Sequence, residues 1–351
     1  MILHIIPREK FDNDYITSIN RLFDPSEHLF FVWGEYKGYE FPKLNYENVI
    51  YSDLSVKNFR LWKAYSKADK IILHSLFLGR NIILFNMLDL IFRKPMAWVI
   101  WGGDLYNAHW AELQPNRSIK KRISTIFRKS LIRRVKFAVA WHDDYAYLKA
   151  NYRTEAKHYF ATYAYDFMQI PAETESRSNG GKVNVMVGHS SSDTCRHIET
   201  FRILAKYKGK IRVYAPLSYG DPKYAQEVIQ AGTEIFGSDF AALTEYMNVA
   251  EYTKFLSSID VGIFNNNRQQ GNGNIARMLY LGKKVFTSPE NTLYKNYRQH
   301  GACTYLFPED LTDEILFTPF TEEQKQACIS SIESIYSDEA FRKNWEALFN
   351  A

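Results

Sequence analysis

The sequence predicts an α/β protein with two doubly wound domains that face a cleft and a C-terminal helix that crosses back to the first domain. Its 351 residues exceed the ~100–200 that one ordinary domain holds, which favours two domains. Short apolar runs alternate with longer amphipathic segments along the whole chain, the pattern of parallel sheets covered by helices. The alternation occurs twice and is interrupted once by a polar segment, so each half is expected to form its own sheet.

In the first half, seven apolar runs predict the strands of a parallel sheet. They are Leu3–Ile6, Leu29–Trp33, Val49–Tyr51, Ile71–His74, Ala97–Trp101, Phe137–Trp141 and His158–Ala161. The amphipathic segments between them predict helices at 14–23, 56–68, 80–92, 111–132 and 143–151. The last of these helices opens on His142-Asp143-Asp144, a polar start typical of a helix N-terminus.

Residues 171–182, PAETESRSNGGK, are polar, rich in Ser and Gly and without apolar periodicity. This composition predicts a linker between a domain at 1–172 and a domain at 182–320. The second domain has its own predicted strands at Val183–Val187, Ile211–Ala215, 241–247, Val261–Phe264 and Lys284–Thr287, and predicted helices at 194–207, 222–231, 250–258 and 274–281. The segment 321–351 is helical in pattern and is predicted to close back on the first domain.

The positive charge of the chain is concentrated in one segment. Lys and Arg number 44 against 39 Asp and Glu, yet nine of the basic residues and no acid lie between Arg117 and Lys136. Because the remainder is slightly acidic, a general polyanion-binding protein is excluded and one local cationic surface is predicted. Three cysteines without CxxC spacing indicate a reducing compartment. The sequence shows no signal-peptide pattern and no run of ~18 apolar residues, so no exported or membrane-spanning protein is predicted.

Open α/β sheets bind ligands beyond the carboxyl ends of their strands, so the loops that follow strands are the candidate sites. The first is Trp101-Gly102-Gly103-Asp104-Leu105-Tyr106. Two glycines allow a tight turn close to a ligand, and a carboxylate in partly apolar surroundings has the properties of a general base for an acceptor hydroxyl. The alternative is a simple turn in which Asp104 caps the next helix. His74, at the end of another strand, is either an acceptor contact or a satisfied strand-end histidine.

The second candidate is the glycine loop, residues 265–274, with the sequence NNNRQQGNGN. A turn rich in Gly and amides before a helix N-terminus presents backbone N–H groups and the positive end of the helix dipole, and Arg268 adds a bidentate donor. This predicts a phosphate or diphosphate cradle, with a long polar turn as the alternative. Gly271, Gly273 and Ala276 also match the dinucleotide spacing G-x-G-x-x-A, but they lie late in their domain and far from the preceding strand.

Two further loops follow strands of the second domain. The serine loop, residues 188–193 with the sequence GHSSSD, offers hydroxyls and His189 to phosphate oxygens, and an Asp193 or Thr194 helix cap is a compatible alternative. In the loop Ala215–Asp221, Tyr219 is placed to stack on a base or sugar ring, although the loop alone is only a turn.

The basic segment has the pattern of an amphipathic helix. Its apolar residues recur at helical spacing and its cations occupy much of the opposite face. This pattern fits a helix at an anionic membrane surface, held by Lys120, Lys121, Arg128 and Arg133. The alternative is a core-packing helix with a solvated charged face. No basic motif interleaved with aromatic residues supports nucleic-acid binding.

No residue spacing in the chain predicts a metal ion or a cofactor. Asp12-Asn13-Asp14 has the D-x-D spacing of some metal-dependent transferases, but it opens the first predicted helix, where carboxylates favour the dipole. The cysteines and histidines show no zinc-site spacing.

Three segments together, WGGDLY, VGHSSSD and DVGIF followed by RQQGNGN, resemble glycosyltransferase family 56. The likeness extends from about Leu73 to Cys303 and is strongest in RQQG with its flanking strand and helix. That family comprises bacterial enzymes that move 4-acetamido-4,6-dideoxygalactose (Fuc4NAc) from dTDP to a polyprenyl-diphosphate-linked saccharide in enterobacterial common antigen assembly. The resemblance implies the metal-independent GT-B fold of two Rossmann-like domains, with the acceptor bound mainly by the first and the donor by the second.

The resemblance also implies roles for residues already singled out. Arg268 would stabilise the departing diphosphate, and Asp104 would activate or orient the acceptor hydroxyl, beside Gly102, Gly103 and His74. The implied donor-binding residues are His189, Ser190, Ser191, Ser192, Tyr219, Glu245, Tyr246, Gln269, Gly271, Asn272, Gly273 and Asn274. The basic helix would sit at the cytoplasmic face of the bacterial inner membrane, near the lipid diphosphate of the acceptor.

The sequence departs from the family pattern at Gly103, where the family has Ala, and at His189, where it has Asn. About the first sixty residues show no clear likeness. An O-antigen repeat unit is therefore an alternative acceptor, and another dTDP- or GDP-deoxysugar an alternative donor. An NAD(P)-dependent oxidoreductase, suggested by the glycine spacing, and a non-catalytic membrane-associated binding protein, suggested by the basic segment, are the alternative functions.

Overall fold

The computed structural model describes residues 1–9, 11–35, 42–163 and 181–351, and the chain divides into two compact units. The first unit comprises Met1–Ala164 together with Asp338–Ala351, and the second comprises Tyr165–Ser337. Most of the predicted linker, residues 171–180, lies outside the described residues, so the linker stays a prediction.

The first unit is built on a seven-stranded parallel sheet. Its strands are β1 (Ile2–Pro7), β2 (His28–Trp33), β3 (Val49–Tyr51), β4 (Lys70–His74), β5 (Met96–Val99), β6 (Phe137–Val139) and β7 (Lys157–Tyr159). They are hydrogen-bonded in the order β3-β2-β1-β4-β5-β6-β7. The helices that follow them are α1 (Asp12–Leu22), α2 (Phe59–Lys67), α3 (Ile82–Phe92), α4 (Gly103–Leu113), α5 (Ile119–Arg134) and α6 (His142–Asn151). Every residue of β4 is buried, as expected where helices cover both faces of a parallel sheet.

The second unit repeats this architecture with six parallel strands. They are β8 (Val183–Val187), β9 (Ile211–Pro216), β10 (Phe240–Leu243), β11 (Val261–Phe264), β12 (Lys284–Thr287) and β13 (Thr304–Leu306), in the order β10-β9-β8-β11-β12-β13. The helices are α7 (His197–Leu204), α8 (Pro222–Phe236), α9 (Val249–Ser257), α10 (Asn272–Tyr280), α11 (Leu293–Gln299), α12 (Asp313–Phe317) and α13 (Glu322–Tyr336). Both sheets reverse their direction of growth beside their first strand, which is the Rossmann order, so the predicted fold of two doubly wound domains is confirmed.

The prediction of one helix over 111–132 is wrong. α4 ends at Leu113 and α5 begins at Ile119. Pro115 disfavours the helical conformation of the residue before it, and Gln114 is accordingly extended, with a ψ of 130°. Ser118 then caps α5 by accepting the N–H of Lys121 at 3.4 Å. The predicted strand 241–247 is also shorter, because β10 ends at Leu243.

The predicted closing segment 321–351 divides between the two units. α13 packs against α10 of the second unit. The last helix, α14 (Asp338–Phe349), belongs to the first unit and buries Trp345, whose indole N–H donates to the carbonyl of Thr162 at 2.9 Å. Lys70 secures the end of the chain by donating to the carbonyl oxygens of Leu348 at 2.6 Å and Ala351 at 2.8 Å. Among the described residues, no helix is both long and apolar enough to cross a bilayer.

Candidate active site

The serine loop and the glycine loop lie side by side in the second unit. β8 and β11 are neighbours at the point where the strand order reverses, so the loops that follow them leave the sheet together. Asn267 N donates to the carbonyl of Thr194 at 3.2 Å, and the side-chain amide of Gln270 donates to the Thr194 hydroxyl at 2.9 Å. The structure therefore joins two segments that are more than seventy residues apart in sequence into one site.

Gly271 marks the closest approach of the two loops. Its φ is +79°, in the left-handed region that favours glycine, and it is the residue before α10. A Cβ at this position would lie 3.2 Å from His189 Nδ1 and 3.3 Å from a ring carbon of Phe264. Only glycine therefore combines this turn with a histidine ring at the start of α10.

The start of α10 is fixed by side chains that sequence reasoning did not identify. Asn272 was predicted to bind the donor, but its amide donates to the hydroxyl of Tyr336 at 2.8 Å and accepts from the hydroxyl of Tyr297 at 2.7 Å. Buried Asn291 donates to the carbonyl of Gln270 at 3.0 Å. These contacts hold the N–H groups of the first helical turn in place, and such groups have no partner within their own helix.

The other predicted residues of the glycine loop lie at the same helix start. Gly273 and Asn274 are half-buried in the first turn of α10, and the side chain of Gln269 is buried. Arg268 is half-buried, and its Nη1 donates to the carbonyl of Gln269 at 2.9 Å, which keeps its cation against the loop. The loop thus places one guanidinium beside a helix N-terminus, an arrangement that favours anions.

The three serines of the serine loop are used mainly within the protein. Ser191 N and Oγ both donate to the carbonyl of Tyr219 at 2.8 Å, which ties this loop to the loop after β9. Ser192 shares a hydrogen bond of 2.7 Å with the Thr194 hydroxyl, and buried Ser190 lies 3.8 Å from Cys195 Sγ. The alternative of an Asp193 or Thr194 helix cap is wrong, because α7 begins at His197 with Arg196 as its N-cap residue and has no side-chain cap. Since the serines are engaged within the protein, His189 is the side chain of this loop best placed for a ligand.

Cys195 was not singled out from the sequence, although it lies at the junction of both loops. Its Sγ is 3.7 Å from His189 Nδ1 and 3.5 Å from Gln270 Nε2. Burial raises the pKa of the Cys195 thiol, but the charge and hydrogen bonds of His189, with a smaller contribution from Ser190, outweigh burial and lower it to about 6. The only signal in the sequence is a lone cysteine two residues beyond the serine loop.

Tyr219 and Tyr246 follow neighbouring strands at the same edge of the second sheet. Leu217 N donates to the carbonyl of Leu243 at 2.8 Å and joins the two loops where β9 and β10 end. Each tyrosine is 47% exposed, and Glu245 beside Tyr246 is exposed. Two half-exposed aromatic rings at one sheet edge are suited to stacking on a flat ring.

In the first unit, Asp104 is buried and fully engaged by the protein. It is 1% exposed, and its Oδ2 accepts from Leu76 N at 2.8 Å and from the indole N–H of Trp98 at 2.7 Å. Its Oδ1 accepts from Trp101 N at 2.9 Å. Burial raises the pKa of Asp104, and these donors with the nearby cation of Arg128 oppose that effect. The geometry does not support the predicted general base, because the carboxylate has no exposed face for a substrate; it organises the ends of β4 and β5 instead.

Gly102 and Gly103 provide the turn that buries Asp104. Gly102 has a φ of +76°, which favours glycine, and Gly103 is the first residue of α4. Leu105 N and Tyr106 N both donate to the carbonyl of Gly102, at 2.9 Å and 2.8 Å. Both glycines are buried, so they shape the loop after β5 rather than offer an open surface.

His74 belongs to a buried histidine cluster rather than to an open surface. His4 lies between His28 at 3.0 Å and His74 at 3.2 Å, and the other ring nitrogen of His74 hydrogen-bonds the Tyr163 hydroxyl. Burial lowers the pKa of His74 to about 3 and that of His28 to about 4. The interpretation of His74 as a satisfied strand-end histidine fits this geometry better than an acceptor contact.

The basic helix α5 has two different ends. Arg128, predicted to face a membrane, is 8% exposed: it donates to the backbone carbonyl of Asp104 at 2.6 Å and stacks over Trp98 at 5.3 Å. That assignment is corrected, since a cation over an indole in the core cannot reach a lipid. Lys120, Lys121 and Arg133 are exposed as predicted.

The N-terminal half of α5 also exposes apolar side chains. Ile119 is 75% exposed and Ile126 is 66% exposed, with Ile123 between them on the same face of the helix. The sequence left open whether these isoleucines face a membrane or pack in the core, and in the structure only the C-terminal end of the stripe, at Leu131, is buried. Ile83 and Leu90 of α3, the helix that packs on α5, are exposed as well.

The D-x-D segment at the start of α1 is engaged by a cation of the protein. Arg8 Nη1 contacts Asp12 Oδ2 at 2.7 Å, and both side chains are buried. Within the described ranges, no group of three or more His, Cys, Asp or Glu side chains is arranged to hold a metal ion.

The architecture matches solved glycosyltransferases over whole chains. HepE (Alr3699) of Anabaena, solved with UDP and glucose, is 12% identical with a TM-score of 0.67 and coverage of 100% of this chain and 99% of that chain. A glycosyltransferase of Rickettsia africae ESF-5 is 9% identical with a TM-score of 0.68 and coverage of 99% and 97%. The UDP-forming α,α-trehalose-phosphate synthase of Burkholderia vietnamiensis is 12% identical with a TM-score of 0.65 and coverage of 100% of both chains.

These likenesses establish the fold as GT-B, the class of glycosyltransferases built from two Rossmann-like domains. The family described as 4-alpha-L-fucosyltransferase, glycosyl transferase group 56, matches residues 11–351, and the chain belongs to it. The resemblance found in the sequence is therefore confirmed, and it extends into the first sixty residues, where the sequence motifs gave no likeness. The protein is a glycosyltransferase. The two alternative functions, an NAD(P)-dependent oxidoreductase and a non-catalytic binding protein, are therefore wrong.

Proposed function

We propose that this glycosyltransferase moves a deoxyamino sugar, Fuc4NAc or a close analogue, from a dTDP-sugar to a polyprenyl-diphosphate-linked saccharide. The product would be an intermediate of bacterial surface polysaccharide, either O-antigen or enterobacterial common antigen. The family match over residues 11–351 is the observation that carries the proposal. The structure of HepE with UDP and glucose, a protein of the same fold, supports a nucleotide-sugar donor.

The donor diphosphate is assigned to the start of α10 in the second unit. Negative charge grows on the diphosphate as the glycosidic bond breaks, and it is stabilised by N–H groups and cations that are already in place. The first turn of α10, which the contacts of Asn272 and Asn291 hold in place, supplies backbone N–H groups and the positive end of the helix dipole. Arg268 and His189, on the two joined loops, supply the side-chain donors.

The nucleoside is assigned to the loops after β9 and β10. Tyr219 and Tyr246 offer half-exposed rings at the same sheet edge as the serine loop, and Ser191 connects Tyr219 to that loop through the bonds described above. A base stacked on one of these rings would lie next to the diphosphate position. Glu245 is the acidic side chain available to hydroxyl or N–H groups of the nucleoside.

The acceptor is assigned to the first unit, with Asp104 as a positioning residue. By holding Leu76 N and Trp101 N, Asp104 fixes the two loops that follow β4 and β5. Those loops lie at the carboxyl edge of the first sheet, where doubly wound domains bind ligands. The role assigned to Asp104 is thus to shape the acceptor surface, not to take the proton of the acceptor hydroxyl.

We also propose that the N-terminal half of α5 binds an anionic inner-membrane surface from the cytoplasmic side. Ile119, Ile123 and Ile126 are exposed apolar side chains suited to the boundary between headgroups and acyl chains. Lys120 and Lys121 are exposed beside them, and basic residues near an anionic leaflet contribute about 1 kcal/mol each. Such docking would bring the enzyme to a lipid-linked acceptor.

A panel of nucleoside diphosphates tests the donor assignment. The purified full chain is heated with dTDP, UDP, GDP or ADP, and the unfolding temperature is measured. At a concentration of about 100 times Kd, a ligand stabilises the folded protein by about 2.7 kcal/mol. We expect dTDP to give the largest increase and Arg268→Ala to remove most of it. Arg202→Ala, which removes an exposed cation of the same unit, is the matched control and should behave like the wild type. An unchanged unfolding temperature with every nucleotide would contradict the assignment.

A further inference from the structure

Cys195 is a buried thiol that joins the two loops of the donor site and has no role in the function proposed so far. Its side chain is completely buried in the turn that follows the serine loop. Three polar groups surround the sulfur: His189 Nδ1 at 3.7 Å, Gln270 Nε2 at 3.5 Å and Ser190 Oγ at 3.8 Å. An apolar packing role would not require hydrogen-bonding groups from both loops around one sulfur.

The surroundings favour a charged sulfur. The Gln270 amide and the Ser190 hydroxyl can donate to a thiolate, and the lowered pKa of Cys195 agrees with this arrangement. Cys328, the other buried cysteine, shows the opposite case: burial raises the pKa of its thiol to about 12. The chain therefore contains one cysteine poised to ionise near neutral pH and one that stays protonated.

The position of His189 allows the charge on the sulfur to influence ligand binding. Its Nδ1 faces Cys195, and the ring lies against Gly271, the residue before α10. The other ring nitrogen, Nε2, has no hydrogen-bond partner within the described part of the chain. When the proton of the Cys195 thiol moves to His189 Nδ1, the ring carries N–H groups on both nitrogens and a positive charge beside the helix N-terminus.

We propose that Cys195 is a positioning residue for the donor diphosphate: as a thiolate it holds His189 through Nδ1 and keeps the ring doubly protonated, so that Nε2 donates to a phosphate oxygen. This inference rests on the proposed function, which places the diphosphate at the start of α10. The step conserves charge, because the proton leaves sulfur and binds nitrogen. His189 touches the ligand and Cys195 acts through it.

The other titratable groups around the pair cannot replace Cys195. His197 of α7 is buried, and burial lowers its pKa to about 3, so it stays neutral. Tyr224 of α8 hydrogen-bonds His197, and burial raises the pKa of its hydroxyl to about 12.

The charged groups nearby are engaged elsewhere or carry the wrong sign. Arg196 pairs with Glu290 at 3.2 Å, and Asp193 is exposed to solvent. Arg268 of the glycine loop is a cation, and its Nη1 donates to the carbonyl of Gln269. Cys195 is thus the anion in direct contact with the His189 ring.

The test is the binding of dTDP and of inorganic pyrophosphate as a function of pH, measured by calorimetry on the full chain. The single variants are Cys195→Ser, Cys195→Ala and His189→Asn. The double variant combines His189→Asn with Cys195→Ser. Cys303→Ser is the matched control, since it makes the same thiol-to-hydroxyl exchange at a half-buried position of the same unit. Unfolding temperatures establish that each variant is folded, and Cys195→Ala serves if the Ser variant is not.

In the wild type, affinity should fall as the pH rises. Loss of the thiolate should move this fall to lower pH by about one unit, which weakens binding at about pH 7.5 roughly tenfold. In the His189→Asn background, Cys195→Ser should have no further effect, because the ring through which it acts is gone. Cys303→Ser should keep the wild-type profile.

Two outcomes would overturn the inference alone: a pH profile of Cys195→Ser identical to the wild type, or a loss of affinity that is independent of pH and equally large in the His189→Asn background. The latter is the result expected of a merely structural cysteine. If the wild type binds neither dTDP nor pyrophosphate, the proposed function fails and the inference fails with it.

Discussion

Replacing Asp104 with Asn keeps the shape of the side chain and removes its charge, so it separates a positioning role from proton transfer. In the structure the carboxylate accepts three N–H groups: two on Oδ2, from Leu76 N and the Trp98 indole, and one on Oδ1, from Trp101 N. An amide has one acceptor oxygen and one NH2 group. In either orientation, at least one of the three N–H donors must therefore face another donor.

The cost follows from these contacts. A hydrogen bond to a charged group contributes roughly 1.5–3 kcal/mol, and a buried donor left without an acceptor adds to the loss. Asp104→Asn should therefore destabilise the first unit by about 2–4 kcal/mol. For a domain of this size, about 1 kcal/mol lowers the unfolding temperature by about 2–4 °C, which predicts a decrease of roughly 4–16 °C.

The assay is thermal unfolding of the wild type and of Asp104→Asn. It is paired with transfer activity measured well below the unfolding temperature. Glu27→Gln, which neutralises an exposed carboxylate of the same unit, is the control and should unfold like the wild type. An unchanged unfolding temperature of Asp104→Asn, together with a loss of kcat of about 10²–10⁴-fold, would refute the reasoning. That pattern would identify Asp104 as the general base that the sequence predicts.

Three further predictions follow from the site, the surface and the core. Arg268→Ala should lower the affinity for dTDP by roughly 10–100-fold with little change in unfolding temperature, since one charge-assisted hydrogen bond contributes about 1.5–3 kcal/mol; calorimetry with dTDP measures it, and equal affinity would contradict the diphosphate assignment. Exchanging Ile119 and Ile126 for Asp should abolish cosedimentation with anionic vesicles, whereas unchanged cosedimentation would remove α5 as the docking helix. His28 and His74 are held neutral by burial, with pKa values of about 4 and about 3 against the ordinary 6.5. The unfolded chain therefore binds more protons, so the stability they contribute is complete above pH 6.5 and is lost as the pH falls towards 4, by up to about 3 kcal/mol for His28. Urea unfolding of the wild type and His28→Gln checks this, and equal pH slopes between the two would contradict it.

The strands at the centre of each sheet could be predicted from the sequence because parallel strands covered on both faces are continuous apolar runs. Val183–Val187 and Val261–Phe264 were predicted with the bounds that the structure shows. The prediction of a single helix over 111–132 was wrong because the apolar periodicity continues across Pro115. That one proline is sufficient to end α4. The exposed end of α5 could not be predicted, because the same isoleucine spacing serves a buried face and a solvent face alike.

The loops that form the candidate site could be named from the sequence, whereas the contacts of their individual side chains could not. Loops after parallel strands leave the sheet at one edge, and the family resemblance implied that the serine and glycine loops bind the same donor. Asn272, in contrast, is engaged by tyrosines that lie 25 and 64 residues further along the chain. Asp104 and Arg128 have residue types that suit a base and a lipid contact, yet tertiary packing turns both into the core.

The most direct test of the central claim is transfer by the purified full chain, with dTDP-Fuc4NAc as the donor and a polyprenyl-diphosphate-linked saccharide as the acceptor. Mass spectrometry of the lipid product and chromatography of the released nucleotide follow the reaction. The account predicts a lipid product heavier by one sugar residue and one dTDP released per transfer. Release of dTDP without a glycosylated lipid, or transfer only from a donor with another nucleotide, would contradict it.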